Sequence, residues 1–476
     1  MEKTQLKAED ALYGKFQPFV VVGFALCWAV TYLFAYSFIF TPLEDLTALQ
    51  RDVSRMCYLG GIVVCELAIY LLYDHVKKYR FRVPLGVGSY VALLVAVALG
   101  VIGDLVGISG WARAPMMFVS GMWQGAFHIL WAESALYLEE RSAARSMYAS
   151  VVIGAAVFVA TTLIASASGV FIALLLAFLS LLCYVFTQQF SPSCKLGDRP
   201  MSRKLAKELH KSNVVLVIYG AVFGVGIYAC MAPDLPVYVS YPLTGLALGT
   251  GVAVLLIVNV ATERTFTFNE LTTALLPVIA IVLMLLTFVE GMTRWVMYLL
   301  LLMLLTAFDT SSFCFLFHLT DRLRLSPIKS VARGRIFVQM GMFMAGTANL
   351  VFVHFLDLSQ EYAFFMPVFL VVFLFIMVAA SGEIHVLPGT LDAQASTARD
   401  DSGDEDLAKC KVLADDYDLS RRELDVLVLL MRGYDTNSIG EKLFVSPHTV
   451  KSHIYHIYKK MGVNSKQELL RKRDEM

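Results

Sequence analysis

Two groups of residues have types and spacings that could do chemistry. The first lies inside long apolar runs: Asp309 beside Phe308 and Thr310-Ser311-Ser312, then Glu66, Glu133, Gln124 and His128. Gln124 and His128 are four apart and so share one helical face, among Trp123, Phe127 and Trp131. Charged groups at bilayer depth are costly and rare, and are functional candidates by default. Aromatic walls with a few convergent polar groups are how a small-molecule pocket is built. Asp309, His128, Gln124 and Glu66 are therefore candidate ligand-binding residues, with Asp309 also a candidate for a proton-linked role. The blander alternative is that these groups bond between helices and hold them together. Asn259, Asn349 and His354 lie near the ends of apolar runs and read as structural.

The second group is polar and late in the chain. His448, Thr449, Lys451, Ser452, Tyr455 and Lys459 fall on the outer face of a helical pattern whose inner face is Val450, Ile454, Ile457 and Met461. A lysine there releases counterions from a polyanion and donates to guanine acceptors, while amides at a helix start suit a phosphate. These are candidate nucleic-acid contacts. No hydrolytic triad, phosphate loop or metal box accompanies either group, so the sequence points to no enzyme, no cofactor and no metal. The eight cysteines are scattered without a CxxC pair.

The elements that must position these groups follow from composition. Of 476 residues, 58% are hydrophobic and 16% charged, with a mean hydropathy of +0.66, whereas a soluble protein is about 25% charged. Charge is unevenly divided: residues 1–381 hold 25 Lys/Arg and 22 Asp/Glu, residues 382–476 hold 14 and 17. A membrane body therefore carries a soluble tail. Apolar runs of about 20 residues in lipid must be helices, because every backbone polar group has to be satisfied internally. Twelve spans are expected at 17–40, 56–73, 84–103, 115–137, 147–167, 169–187, 213–231, 237–260, 271–289, 295–317, 335–356 and 361–381.

The longest internal polar stretch, about 188–213, separates the sixth span from the seventh and carries Lys195, Arg199, Arg203, Lys204, Lys207 and Lys211. With the N-terminus inside, the inner segments hold 21 Lys/Arg and the outer ones only Arg51, Arg55, Arg113 and Arg294. The positive-inside rule then puts both termini in the cytoplasm. Two six-helix halves joined by a basic loop resemble the major facilitator superfamily of transporters, whose halves are related by an axis along the membrane normal. The loop Asp74-His75-Val76-Lys77-Lys78-Tyr79-Arg80 keeps that family's Asp and basic residues and lacks its Gly.

After residue 381 the sequence turns acidic, small and polar, a composition that cannot bury enough apolar area to fold. As a coil of about 30 residues it spans roughly 30 Å. Beyond it, Ser420 and Glu423 form a capping box ahead of the stripe Leu424, Leu427, Val428, Met431. Gly433 ends this helix, and a shorter one carries Ile439 and Leu443. Ser446 caps a third helix with Pro447 at its first position, Gly462 ends it, and Ser465 caps a fourth over 466–473. Four such helices fit helix-turn-helix geometry, and the net charge over 407–476 is +3.

Leu419-Ser420-Arg421-Arg422-Glu423-Leu424, Ile439-Gly440-Glu441-Lys442-Leu443, Ser446-Pro447-His448-Thr449-Val450-Lys451-Ser452-His453 and Lys460-Met461-Gly462-Val463 resemble the LuxR-type DNA-binding domain. Ser438, Gly440 and Asp425 stand where that family usually has Glu, Ala and Glu. The resemblance implies that Lys451, Ser452 and Tyr455 face base edges, that Thr449, His453 and the cap at Ser446 touch phosphate, and that the fourth helix pairs two domains into a homodimer.

The expected architecture is all-α: a twelve-helix, major-facilitator-like bundle with six-span halves at 1–190 and 213–381 around a loop at 191–212, a flexible acidic linker at 382–414, and a four-helix DNA-binding domain at 415–476. The expected function is a membrane-bound, one-component transcriptional regulator in a bacterial cytoplasmic membrane. Its body senses an unidentified small molecule and its tail binds double-stranded DNA. The alternatives are a secondary transporter with a regulatory appendage and, from Ser438 and Gly440, a membrane scaffold whose tail no longer binds DNA.

Overall fold

The computed structural model describes residues 2–36, 47–76, 81–106, 109–138, 140–164, 169–190, 213–214, 216–224, 237–262, 268–286, 288–322, 325–356, 417, 419–431, 439 and 447–463. They fall into two compact units, within Met1–Val386 and Leu387–Met476.

The regular elements of the first unit are helices: α1 (Glu2–Tyr36), α2 (Ala48–Leu71), the single turn α3 (Tyr73–Val76), α4 (Arg82–Leu105), α5 (Ser109–Ala135), α6 (Glu140–Ile164), α7 (Gly169–Phe190), α8 (Val237–Thr262), α9 (Phe268–Leu286), α10 (Gly291–Arg322) and α11 (Pro327–His354). A further helical stretch covers 216–224. Helix thus appears at eleven of the twelve expected spans, and the twelfth, 361–381, lies outside the described residues. Eight of the helices are long and apolar enough to cross a membrane. The body is multi-pass on that ground. α5 is 27 residues long but is not among the eight, because Ser120, Gln124, His128, Glu133 and Ser134 lower its hydropathy while remaining buried.

Caps and turns start the helices where sequence chemistry allows. Thr47 opens α2 with a capping box: the Gln50 amide donates to Thr47 Oγ1 at 3.2 Å and the Thr47 amide to Gln50 Oε1 at 3.0 Å. Pro327 sits at the first turn of α11, where its missing donor costs nothing. This start lies well before the expected 335 and brings Arg335 inside the helix.

Packing repeats along the chain. α1 packs on α6 and α2 on α5; later, 216–224 approaches α11 and α8 packs on α10. Each of these is a first-with-fifth or second-with-fourth pairing within its group of spans. Between the groups, α2 meets α11 and α6 meets α8, a reciprocal second-with-fifth contact. Backbones come very close at α2·α5, where a Cβ on Gly61 would lie 1.9 Å from the Phe118 carbonyl oxygen and one on Gly121 2.0 Å from that of Tyr58. Small residues permit such approaches in membrane bundles. α4 turns Val91, Leu94, Val95, Leu99 and Ile102 outward, an apolar surface suited to lipid rather than water.

The α2·α11 pair is fastened at both ends. At one, the Ser326 and Tyr73 hydroxyls are hydrogen-bonded, and the Lys329 ammonium lies 5.5 Å and 5.3 Å from the Tyr70 and Tyr73 ring centroids. At the other, Asp52 bonds His354 Nε2 at 2.8 Å and faces Arg55 at 3.8 Å.

In the second unit, α12 (Arg421–Met431) and α13 (Pro447–Met461) pack on each other. Ile439 is the one described residue of the short helix expected between them, and it is helical and buried. The fourth expected helix, 466–473, lies outside the described residues, as does the linker.

Candidate functional site

The tail is built around a small apolar core. Val426, Leu427, Val428 and Leu430 of α12 pack with Ile439, with Val450, Ile457 and Met461 of α13, and with Val463; Leu424 and Ile454 are partly buried against them. α12 begins as its sequence dictates: the Ser420 amide donates to Glu423 Oε2 at 2.7 Å and the Glu423 amide to Ser420 Oγ at 3.3 Å. Lys460 Nζ, from the far end of α13, donates to the same Glu423 oxygen at 2.9 Å. Burial alone would push the Glu423 carboxyl up, but the Lys460 ammonium and the Ser420 amide and hydroxyl outweigh it and hold it at about 2. α13 ends at Gly462, φ +64°, and the Val463 amide turns back to the Tyr458 carbonyl at 3.0 Å. This left-handed cap fixes the helix end.

With its apolar side committed to the core, α13 turns the other side out. His448, Lys451, Ser452, Tyr455 and Lys459 are exposed, and Thr449 and His453 are half-buried at the flanks. Ser446 lies outside the described residues. Tyr455 is 64% exposed, with its ring centroid 5.8 Å from that of His456. His456 is also exposed and was missed from the sequence, although it lies four residues after Ser452 on the same stripe. The result is a helix face with two ammonium groups, hydroxyls and an aromatic ring, all free of the core.

The body holds a different arrangement. Asp309, on α10 and 8% exposed, accepts from Arg335 Nη1 of α11 at 2.8 Å; the same nitrogen lies 3.3 Å from Ser312 Oγ. Arg335 is 1% exposed, and its guanidinium carbon is 4.1 Å from the Phe313 ring centroid. From the sequence, Arg335 stands at the first position of the eleventh expected span and counts among the inner-side charges. Inside α11 it is the partner that makes a buried Asp309 tolerable. Arg55 and Arg113, taken as outer-loop charges, likewise lie within α2 and α5 and are buried.

Phe313 carries the cluster across to α5. Its ring centroid is 6.0 Å from those of His128 and Trp28, and His128 and Trp28 are 4.6 Å apart. His128 Nε2 is 3.2 Å from Thr31 Oγ1. The Tyr58 hydroxyl donates to Gln124 Oε1 and is 3.4 Å from the Thr31 carbonyl. Glu66, on α2 and fully buried, has no hydrogen-bond partner on either carboxylate oxygen. Its side chain lies against α5, where a Cβ on Gly125 would be 3.4 Å from Glu66 Cγ. Glu133 stands apart, paired with Arg82 at 2.7 Å. Asn259 accepts from Arg145 Nε at 3.0 Å.

The structure therefore links Asp309 to His128 through Arg335 and Phe313, and His128 to Gln124 through Thr31 and Tyr58, with Glu66 beside them. Sequence reasoning missed Arg335, Thr31, Tyr58, Trp28 and Phe313. Of these only Arg335 had a signal, a charge at the edge of an apolar run.

Comparison with known proteins decides what the tail is. Residues 418–472 match the model of bacterial regulatory proteins of the luxR family. The tail is a luxR-type DNA-binding domain. Over 52 residues it is 52% identical to "Oxygen regulatory protein NreC" of Staphylococcus aureus strains JH9 and JH1, which is 11% of this chain and 24% of each relative. The chain thus spans about a quarter of the length of those relatives. The body matches solved structures over most of its length. A bacterial homologue of the iron transporter ferroportin in the outward-facing state gives a TM-score of 0.55 at 12% identity, covering 78% of this chain and 100% of that one. The major facilitator superfamily transporter FucP in the outward conformation gives 0.53 at 11%, covering 75% and 97%. At that identity the likeness concerns fold alone. The chain joins a luxR-type DNA-binding domain to a membrane body of major facilitator fold.

Proposed function

We propose that this protein is a membrane-bound, one-component transcriptional regulator: the body responds to a small molecule, and the luxR-type domain, paired with that of a second copy, binds double-stranded DNA. The observation that carries this reading is the face of α13, with Lys451, Ser452 and Tyr455 exposed on a luxR-type domain in one chain with a transporter-fold body. Lys451, Ser452, Tyr455, His448 and Lys459 reach base edges or backbone in the major groove, and Thr449, His453 and Ser446 hold phosphate. Both termini lie in the cytoplasm, at a bacterial cytoplasmic membrane. The charge bias that supports this survives the burial of three arginines, since the outer side loses two of four and the inner side one of 21.

In the body, Asp309, His128, Gln124 and Glu66 contact the ligand. The ligand acts by binding two body conformations unequally, because equal affinity shifts no population. Genome-wide mapping of bound DNA with the intact chain and with Lys451→Ala tests the reading. Discrete sites lost in the variant support it; absence of discrete sites in both removes it. The transporter fold favours one alternative, a secondary transporter with a regulatory appendage. It predicts substrate accumulation in vesicles that survives removal of residues 390–476.

A further inference from the structure

The DNA contacts proposed for α13 occupy two sides of one helix. An α-helix turns about 100° and rises about 1.5 Å per residue. With Val450, Ile454, Ile457 and Met461 held in or against the core, His448, Ser452 and Lys459 run along the middle of the opposite face. Lys451 and Tyr455 fall to one side of that line. Thr449, His453, His456 and Lys460 fall to the other, at intervals of 4, 3 and 4, so that all four point within about 60° of one another.

Each member of this second row has a use except His456. Thr449 and His453 are the half-buried groups assigned to phosphate. Lys460 is drawn back to Glu423 Oε2 of α12 at 2.9 Å, so the row ends toward solvent at His456. That side chain is exposed, and its ring meets the Tyr455 ring with centroids 5.8 Å apart and planes inclined at 58°. The ring contact makes no demand on the imidazole nitrogens, and an imidazole always has an N–H to donate, whichever nitrogen carries it. From Thr449 to His456 the row is about 10 Å long, and a DNA strand carries a phosphate about every 3.4 Å of its axis. The row therefore passes more than one phosphate.

We propose that His456 is a further DNA contact: its imidazole donates to a backbone phosphate of the strand touched by Thr449 and His453, about one turn farther along α13. This assignment rests on the reading of the tail as a DNA-binding domain and adds a residue outside the contacts named for it above. Its role follows from its place. His456 lies on the side away from Lys451 and Tyr455, so it fixes the helix in the groove and carries no base preference. Tyr455 and His456 are adjacent in the chain but about 100° apart on the helix, and they serve different ends, one at the bases and the other at the backbone.

The test uses the full chain in lipid nanodiscs and two short duplexes, one enriched from a random pool by the parent chain and one a scrambled copy of it. Dissociation constants are read by fluorescence anisotropy at fixed pH and salt. His456→Ala is expected to weaken binding to both duplexes by the same factor, roughly tenfold. His456→Lys restores a donor and adds a charge, and is expected to bind both at least as tightly as the parent, with a steeper salt dependence. Parental affinity in His456→Ala overturns the proposal, as does a loss confined to the enriched duplex, which is the mark of a base contact. A loss that His456→Lys does not recover also overturns it, because a residue needed only for packing is not rescued by a longer cation. A parent chain that enriches and binds no duplex removes the regulator reading and this contact with it, an outcome distinct from a parent that binds and a variant that binds equally well.

Discussion

The body and the tail dispose of their polar residues in opposite ways. In the body they are turned inward and joined: Asp309 to Arg335, His128 to Thr31, Tyr58 to Gln124, Glu133 to Arg82. In the tail the apolar side of α13 is committed to a core in which nine of the described residues are buried, and the polar side is left in solvent. The lesson is that a binding group in the tail can be altered almost without cost to folding, whereas in the body the same groups hold the helices together. Function and stability are separable in one region and entangled in the other.

The largest effect that would sharpen this contrast is at the buried ion pair. Arg335→Ala leaves Asp309 buried and uncompensated and is expected to cost about 3–5 kcal/mol, read as a lower thermal midpoint of the full chain in detergent. The double variant Asp309→Asn with Arg335→Gln removes both charges and should recover most of that loss. If the single and double variants unfold alike, the pair is not what makes the core tolerable.

Next in size is Lys451→Ala. It is expected to weaken DNA binding by about 1–3 kcal/mol, roughly 5- to 150-fold, and to lower the salt dependence. The thermal midpoint should stay unchanged because the side chain is exposed. A loss of stability comparable to the loss of binding would break the comparison.

Glu423→Ala removes both the reciprocal cap and the Lys460 bond and should cost the tail about 1–2 kcal/mol, read by hydrogen exchange over α12. The Glu423 carboxyl titrates near 4.3 in an unfolded chain and at about 2 in the folded domain. Its stabilisation is therefore complete above about pH 5 and is lost as the pH falls toward 2. The Ala variant should lack that acid-sensitive component. The smallest effect is at Gly462, whose φ of +64° makes Gly462→Ala cost about 1 kcal/mol, visible as faster exchange of the Val463 amide.

What the sequence told, and what it withheld, follows the range of the interaction. The Ser420–Glu423 box, the Val450–Ile457–Met461 stripe and the Gly462 cap are local, and each was legible from spacing alone. The Lys460–Glu423 bond spans 37 residues and the Arg335–Asp309 bond 26. Neither leaves a periodic trace, since the partners are chosen by how helices cross. The long runs announced spans but not their ends: α11 starts at Pro327, not 335, because a buried charge can extend a membrane helix once a partner is present. His456 was overlooked for want of applying the four-residue step once more.

The clasps at the two ends of the α2·α11 pair set what a rearrangement there would cost. Tyr73 and Ser326 are joined at one end and Asp52 and His354 at the other, so α2 and α11 part at either end only when a polar contact breaks. The Asp52 and His354 side chains are 17% and 14% exposed, and a hydrogen bond contributes about 0.5–1.5 kcal/mol, more when it is charged. Either end can therefore let go on its own while the other holds, which makes the pair a hinge rather than a rigid seam.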